Sequence, residues 1–169
     1  MGLKLQIRPW ADSDSIQALT GLINRAYATL RSFGIENEGA TQSVQRTGER
    51  IARGGCLVAL HDETLVGTLA FRVGFENSVC SYLAKPNILC LHQQAVEPRL
   101  QGCGIGHALM EAAEQWAREL GFDEIVEFTA ECHPSKRTYW RRNGIVEVDR
   151  IQWPGDAYFS IVGAKQLTP

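Results

Sequence analysis

The sequence predicts an α/β protein with a single mixed, mostly antiparallel sheet of about seven strands flanked by about four helices. Two apolar patterns support this class: short apolar or alternating runs typical of strands, and apolar residues spaced by three and four typical of helices. Their order is mostly antiparallel strands first, then a β-α-β unit, then a closing hairpin. The length of 169 residues suits one domain, so residues 1–169 are expected to form a single unit.

The first half of the chain is expected to hold four strands and two helices. They are placed, in chain order, at residues 3–8, 16–30, 42–52, 56–60, 64–73 and 87–96. The first strand ends at Pro9, because proline cannot donate a ladder hydrogen bond. Asp12, Ser13 and Asp14 then offer N-cap oxygens to the first helix.

A hairpin is predicted in the middle of this half. His61-Asp62-Glu63 forms its tight turn, and Gly67 marks a bulge in its second strand. Gly54-Gly55 ends the helix that precedes it. Residues 74–85 carry no clear pattern and are expected to form a loop or a short extension.

The second half is expected to hold a β-α-β unit and a hairpin. Its helices and strands are placed, in chain order, at residues 104–120, 123–130, 134–142, 145–151 and 157–166. The helix over 104–120 has the clearest apolar face, and Gly121 is its C-terminal stop. The next helix has Pro134 in its first turn and Asn143-Gly144 as its stop.

Composition excludes several classes of protein. Hydrophobic residues make up 44% and charged residues 21% of the chain, with a net charge of -2. A nucleic-acid binder usually carries a basic excess, so no nucleic-acid partner and no polybasic membrane contact is expected. No apolar run approaches the roughly 20 residues that a membrane-spanning helix needs, and no membrane partner is expected.

The five cysteines have wide spacings, and no export signal precedes them. Free thiols in a reducing cytoplasm are therefore expected. The adjacent Cys132 and His133 are poorly spaced for two ligands of one tetrahedral ion, so no metal site is expected.

The chemically informative stretch is the glycine-rich turn Gln101-Gly102-Cys103-Gly104-Ile105-Gly106-His107, which leads from a strand into the clearest helix. Glycines allow successive main-chain N–H groups to converge, and the first N–H groups of a helix have no partner within it. Together they predict a pocket for a phosphate or pyrophosphate.

Two familiar phosphate-binding motifs fit this turn poorly. A Walker A loop requires Gly-Lys-Ser/Thr, whereas Gly106 is followed by His107-Ala108. The turn lacks the third glycine of a dinucleotide-binding fingerprint, and such a fingerprint would stand near the start of the fold. On the glycines alone, a turn that merely connects strand to helix stays open as well.

The flanking residues resemble the acyl-CoA signature of the GNAT superfamily of N-acetyltransferases. The strand runs into Val96-x-Pro98, followed by Gln101-x-x-Gly104-x-Gly106 at the head of an amphipathic helix. The order of elements and the length also match, and a second similarity lies at residues 139–145. The resemblance implies a GNAT-like acyl-CoA N-acyltransferase fold.

The resemblance also implies an activity: transfer of the acetyl group of acetyl-CoA to a primary amine by direct attack in a ternary complex. Residues expected to bind the cofactor form two groups, the strand that would pair with pantetheine and the turn that would hold pyrophosphate. They are Gln94, Ala95 and Val96, and Gln101, Gly102, Cys103, Gly104, Ile105, Gly106 and His107. A backbone N–H near Ala95 would stabilise the oxyanion, with no metal and no covalent enzyme intermediate.

His92 is the expected general base. An attacking amine must be neutral, although alkyl amines have pKa values near ~10, and a histidine that titrates near ~6.5 suits the task. Strand alternation predicts that His92 projects to the same side as Gln94 and Val96. Family members also use the position of Cys90.

The carboxylates Glu97, Glu127 and Glu131 are the weaker candidates for the base. As residues near strand ends they are expected mostly on the solvated surface.

The position of the general acid differs in this sequence from the pattern of the family. The family's tyrosine, four residues before Gly144, is replaced by Trp140, so the neighbouring Tyr139 is named as the catalytic acid, or the thiolate leaves unassisted. Core packing is the alternative role of both aromatic residues. His133 stands where the family often has a pantetheine contact.

The basic residues Lys136, Arg137, Arg141 and Arg142 could contact a nucleotide 3′-phosphate or form a solvated face.

The acceptor is expected to be a small-molecule or peptide amine, bound between residues 33–43 and 153–159. Glu36, Glu38 and Asp156 could attract a cationic amine. A non-catalytic acyl-CoA-binding sensor is the alternative function, and homodimerisation is left open.

Overall fold

Seven strands and four helices form within residues 4–75 and 79–167, which are the residues that the computed structural model describes. The strands are β1 (Leu5–Pro9), β2 (Gly55–His61), β3 (Thr64–Val73), β4 (Ile88–Val96), β5 (Glu124–Ala130), β6 (Val146–Ile151) and β7 (Ser160–Gln166). The helices are α1 (Ile16–Ala28), α2 (Val44–Ala52), α3 (Ile105–Glu119) and α4 (Lys136–Arg142). The predicted fold class is confirmed.

The strands lie in one sheet in the order β1-β2-β3-β4-β5-β7-β6. Only β4 and β5 are parallel, and α3 forms the crossover between them. Every other neighbouring pair is antiparallel, and β7 lies between β5 and β6. The single parallel pair places the start of α3 beside the end of β4.

The helices cover both faces of this sheet. Apolar residues of α3, together with Trp140 of α4, pack on one face against Leu89 and Leu91 of β4. Residues of α1 pack on the opposite face against Ala95. These are called the α3/α4 face and the α1/α2 face of the sheet.

Local sequence explains most helix boundaries. Ser43 Oγ accepts the Arg46 N–H at 3.1 Å at the start of α2, as expected for an N-cap. Gly121 and Gly144 follow α3 and α4 with φ of 78° and 71°, a backbone conformation that glycine adopts at low cost. Both predicted glycine stops are confirmed.

The first helix corrects one predicted cap. Ser15 is its N-cap and accepts the Ala18 N–H at 3.2 Å. Asp14, expected to help cap the helix, instead receives two hydrogen bonds from Arg8, at 2.6 and 2.7 Å.

Other boundaries also differ from prediction. Pro134 precedes α4 rather than lying in its first turn, and β7 begins only at Ser160. The bulge of β3 lies beside Gly67: the register shift pairs Ala59 with Gly67 and Leu60 with Leu65.

Part of the segment without a clear pattern, residues 76–78, lies outside the described residues. From the remainder, Cys80 and Leu83 are buried against Ile88 and Val126 on the α1/α2 face.

Gly163 of β7 allows Trp140 to approach the sheet. A Cβ atom placed on Gly163 would lie 2.9 Å from the Trp140 ring and 2.7 Å from Ile145. Gly163→Ala is therefore expected to lower the free energy of unfolding by about 1–3 kcal/mol through overpacking. Urea denaturation measures this loss. Gly21→Ala on α1, where an added Cβ meets only the end of the Arg25 side chain, is the matched control. Equal stability of the two variants would contradict the packing described.

Candidate active site

Strands β4 and β5 diverge and leave a gap in the sheet. They are paired only from Ile88–Glu124 to Leu91–Glu127, and no pairing joins them beyond that point. Past Leu91, β4 continues with β3 alone as a neighbour, so one edge of β4 borders the gap. A cavity of about 680 Å³ occupies the gap and extends to the first turn of α3. Its inner end is the branch point at Leu91 and Glu127.

A bulge in β4 determines which side chains face which side of the gap. The register with β3 shifts between Thr68–Ala95 and Ala70–His92, and Gln93 within the bulge has a φ of 50°. The extra residue reverses the alternation of side chains along the strand.

The predicted orientation of His92 is therefore wrong. Before the bulge, Leu91 faces α3, which places His92 on the α1/α2 face. After the bulge, Val96 packs against the α3 cluster, so Gln94 lies on the α3/α4 face, opposite to His92.

His92 lines the cavity as a neutral side chain. Burial lowers its pKa to about 4, and the nearby positive charges of Arg50, Arg72 and Arg53 act in the same direction. Its Nε2 atom is shielded from solvent and has no hydrogen-bond partner among the described residues. This nitrogen is thus a buried polar atom whose hydrogen-bonding capacity is unused among the described residues.

The glycine-rich turn presents unbonded main-chain amides to the cavity. The N–H groups of Gly102, Gly104, Ile105, Gly106 and His107 make no hydrogen bond within the described part of the chain. The first main-chain bond of α3 runs from Ala108 N–H to the Gly104 oxygen, at 3.0 Å.

The shape of the turn depends on two glycines in the left-handed region. Gly102 has a φ of 81° and Gly104, the N-cap of α3, has a φ of 87°. No atom lies within 4 Å of the Cβ position at either glycine, so the approach to the amides is open. The Cys103 N–H is the exception, because it donates to the Leu100 oxygen at 3.3 Å. The Gln101 side chain reaches the Val96 oxygen at 3.4 Å.

Glu127, at the inner end of the cavity, is a buried carboxylate. Only 6% of its side chain is exposed. The indole N–H of Trp140 donates to one of its oxygens, and Lys136 Nζ donates to the other at 2.8 Å. The expectation that Glu127 is solvated is wrong, because α4 covers this face of β5.

Gln94 and Tyr139 connect this region to α3. Gln94 Nε2 donates to the Gly106 oxygen at 2.9 Å and to the Tyr139 hydroxyl at 2.8 Å. The Tyr139 hydroxyl donates to the same Gly106 oxygen at 3.0 Å. Burial raises the pKa of Tyr139 above its usual value. The hydroxyl proton of Tyr139 is thus used in a hydrogen bond to the main chain of α3.

The remaining candidates for the base are engaged elsewhere. Glu97 pairs with Arg25 at 2.8 Å. Glu131 pairs with Arg150 and Arg137, and these hydrogen bonds lower its pKa. Cys90 is buried on the α1/α2 face, where burial raises its pKa to about 12.

The basic residues of α4 differ in whether they already have a partner. Arg137 pairs with Glu147 at 3.0 Å, and Arg141 contacts Thr138 at 3.3 Å. Lys136 and Arg142 both line the cavity. The Arg142 side chain is exposed and makes no hydrogen bond or ion pair within the described residues, so it remains available to an anion.

The two segments expected to bind the acceptor do meet. The Tyr158 hydroxyl donates to the main-chain oxygen of Glu36 at 3.1 Å. The carboxylate of Glu38, however, is occupied by Arg46 and Arg50. Trp153 does not line the cavity but packs behind Phe128, with the ring centroids 5.0 Å apart.

Sequence reasoning did not single out Tyr27 and Leu30 of the first helical segment, which line the cavity. Both lie within residues 16–30, the segment predicted as the first helix. Glu127 could have been found by its signal: it is a lone charge in the apolar run Ile125-Val126-Glu127-Phe128. His133 lines the cavity, as its position implied, and burial lowers its pKa.

No cluster of three or more metal-ligating side chains occurs among residues 4–75 and 79–167. All five cysteines lie in these ranges, and none forms a disulfide. Within the same ranges, no helix has the length and apolar character needed to cross a membrane.

Solved structures share this architecture. The PaiA N-acetyltransferase of Thermoplasma acidophilum, solved with coenzyme A, matches with a TM-score of 0.75 and 18% identity, covering 97% of this chain and 99% of its own. The ribosomal-protein-S18-alanine N-acetyltransferase of Escherichia coli matches with a TM-score of 0.69 and 15% identity, covering 98% and 95% of the two chains. A comparison with curated proteins found no match.

A sheet that divides between its one parallel pair, with a helix N-terminus at the gap, defines the class of acyl-CoA N-acyltransferase folds. The family model described as "Acetyltransferase (GNAT) family" matches residues 21–145, and the chain belongs to this family. The resemblance of the glycine-rich turn is thereby confirmed at the level of the family.

The low pKa of His92 predicts a pH-dependent loss of stability. Unfolding returns the pKa from about 4 to its usual value near ~6.5, so the unfolded chain binds a proton that the folded chain does not. The stabilisation present above pH ~6.5 is therefore lost as the pH falls towards ~4, by about 1–3 kcal/mol. In His92→Gln this part of the pH dependence should be absent. Urea denaturation at several pH values measures it, with His61→Gln, at the turn after β2, as the control. Parallel curves for native protein and His92→Gln would refute the burial of this histidine.

Proposed function

We propose that the protein is an N-acetyltransferase that transfers the acetyl group of acetyl-CoA to a primary amine by direct attack in a ternary complex. The observation that carries this proposal is the set of unbonded amides at the start of α3, next to the gap between β4 and β5. Membership of the acetyltransferase family supports the same activity.

The turn suits the pyrophosphate of coenzyme A. Gly102, Gly104 and residues 105–107 would donate main-chain N–H groups to it, and the helix dipole favours negative charge there. Cys103 would contribute through the shape of the turn rather than through its amide, which is already bonded. Arg142 is the cation best placed for an additional phosphate.

The free edge of β4 suits the pantetheine arm. Beyond Leu91, Gln94, Ala95 and Val96 border the gap with no strand on that side. An arm that contains amide groups could pair there like an added strand, with its thioester at the inner end. A main-chain N–H near Ala95 would then stabilise the oxyanion.

His92 is proposed to take the proton from the attacking amine, either directly or through water. Its low pKa keeps the imidazole neutral at physiological pH, and a neutral imidazole has a ring nitrogen that can accept a proton. Nε2 has no other partner among the described residues. The same low pKa makes it a weak base. The amine would enter from the α1/α2 face, where His92 and Tyr27 line the cavity. The E. coli neighbour is named as an N-acetyltransferase of an alanine of ribosomal protein S18, which supports including peptide amines as acceptors.

A non-catalytic acyl-CoA-binding sensor is the second candidate. It is favoured by Trp140 at the position of the family's tyrosine and by the engagement of the Tyr139 hydroxyl with Gly106. A sensor needs the amides of the turn but no proton donor for the sulfur.

Gly104→Asp tests the pyrophosphate site. A carboxylate beside the amides should lower the affinity for coenzyme A by about tenfold or more, through charge repulsion. Gly104→Asn is the matched control, since asparagine has nearly the same shape and tolerates a positive φ. Isothermal titration calorimetry measures both variants. If the two variants bind equally well, the anion is not held there.

An amine panel with acetyl-CoA tests the activity and the base. We expect turnover of at least one small primary amine or peptide amine. The rate should show no change caused by ionisation of His92 between about pH 6 and 8, because the pKa of His92 is about 4. His92→Gln should lower kcat by roughly 100-fold, and His61→Gln should not. Tight binding of coenzyme A without turnover of any amine would favour the sensor.

A further inference from the structure

We propose that Lys136, held by Glu127, supplies the positive charge and the hydrogen bond that stabilise the sulfur of coenzyme A as a thiolate when the acetyl group leaves it. This inference rests on the proposed function and assigns a catalytic residue that sequence reasoning placed only in a basic run. It concerns the step for which the chain lacks its expected tyrosine.

Neither of the two aromatic residues on α4 that were candidates for the acid is free to perform this step. Trp140 replaces the expected tyrosine, is 2% exposed, and donates its indole N–H to Glu127. Tyr139 gives its proton to the Gly106 oxygen at 3.0 Å. A thiolate that forms here must find another partner.

Lys136 lies where that partner is needed. It is one helical turn before Trp140, so both side chains project from the same side of α4. Its Nζ atom lies 2.8 Å from Glu127 of β5 and 3.3 Å from Gln94 Oε1 of β4. The ammonium group therefore spans the two strands at the inner end of the cavity, where the thioester would lie.

The donors of Lys136 are not exhausted. An ammonium group has three N–H donors, and the described residues accept two of them, at Glu127 and Gln94. The side chain is 13% exposed and lines the cavity. One N–H is thus left for a molecule in the gap.

Charged and aromatic groups from several elements surround Nζ of Lys136. Glu127, from β5, is the carboxylate that contacts Lys136, and it lies 2.8 Å away. The Tyr139 ring lies 4.7 Å from Nζ, on the side of α4 itself. His133, before α4, feels the charge of Lys136, and Tyr27, from α1, feels that of Glu127.

The proton balance of the step is simple. The amine attacks the carbonyl carbon, and its extra proton passes to His92 or to water. The C–S bond then breaks, its electron pair goes to sulfur, and the ammonium of Lys136 donates a hydrogen bond to the thiolate. The proton released by the amine then passes through water to the sulfur, so the net products are the acetylated amine and the thiol of coenzyme A.

The acidity of the bound thiol tests this role without measuring activity. Coenzyme A is titrated on the protein from pH 6 to pH 10 by thiolate absorbance in the ultraviolet, with desulfo-coenzyme A as the baseline for protein cysteines. In the native protein the pKa of the bound thiol should be lowered by about one unit or more relative to free coenzyme A. In Lys136→Gln it should return to the free value or above, while the affinity for desulfo-coenzyme A changes less than about threefold.

Two further variants sharpen the result. Lys165→Met removes another half-buried lysine, paired with the buried Glu114 at 2.6 Å away from the cavity, and should leave the thiol pKa unchanged. If Lys136→Gln does not fold, the double variant Lys136→Gln/Glu127→Gln removes both charges together and should also raise the thiol pKa.

An equal pKa of the bound thiol in the native protein and in the Lys136 variants overturns the role of Lys136 while the proposed function stands. A native protein that binds neither coenzyme A nor desulfo-coenzyme A contradicts the proposed function, and this role with it.

Discussion

The divergence of β4 and β5 is the constraint on which the rest of the site depends. Two parallel strands that stay paired would bury their edges and leave no room for a ligand. Here pairing ends at Leu91 and Glu127, and the bulge at Gln93 alters the course of β4 just beyond. The free strand edge, the cavity and the open approach to the amides of α3 all follow from this one interruption.

Holding the strands apart requires contacts across the gap, and polar side chains supply them. Lys136 and Gln94 join β5 to β4, while Gln94 and Tyr139 join β4 to the first turn of α3. A buried carboxylate such as Glu127 is costly unless it is paired and hydrogen-bonded. The indole of Trp140 and the ammonium of Lys136 meet that requirement. The paired charges of Glu127 and Lys136 therefore lie in the lining of the cavity.

The two sides of the gap differ in chemistry because the bulge divides them. The α3/α4 face presents main-chain amides, Lys136 and Arg142, which suit a phosphate-bearing donor with a sulfur to accommodate. The α1/α2 face presents a neutral histidine with an unpartnered nitrogen. Of the acidic residues predicted to attract an amine, Glu38 is already paired with Arg46 and Arg50.

Apolar periodicity and glycine positions act through local backbone geometry, so the sequence alone was enough to predict the class of sheet, the element order and the glycine-rich turn before α3. It also implied the family through residues 96–107 and 139–145. The opposite orientations of His92 and Gln94 could not be read from the sequence, since one bulged residue at Gln93 reverses the alternation of side chains in the folded strand. The burial of Glu127 and its contact with Lys136 were decided in the same way. They depend on how α4 packs back over β5, the strand that precedes it, and apolar periodicity does not specify how a helix packs on a strand.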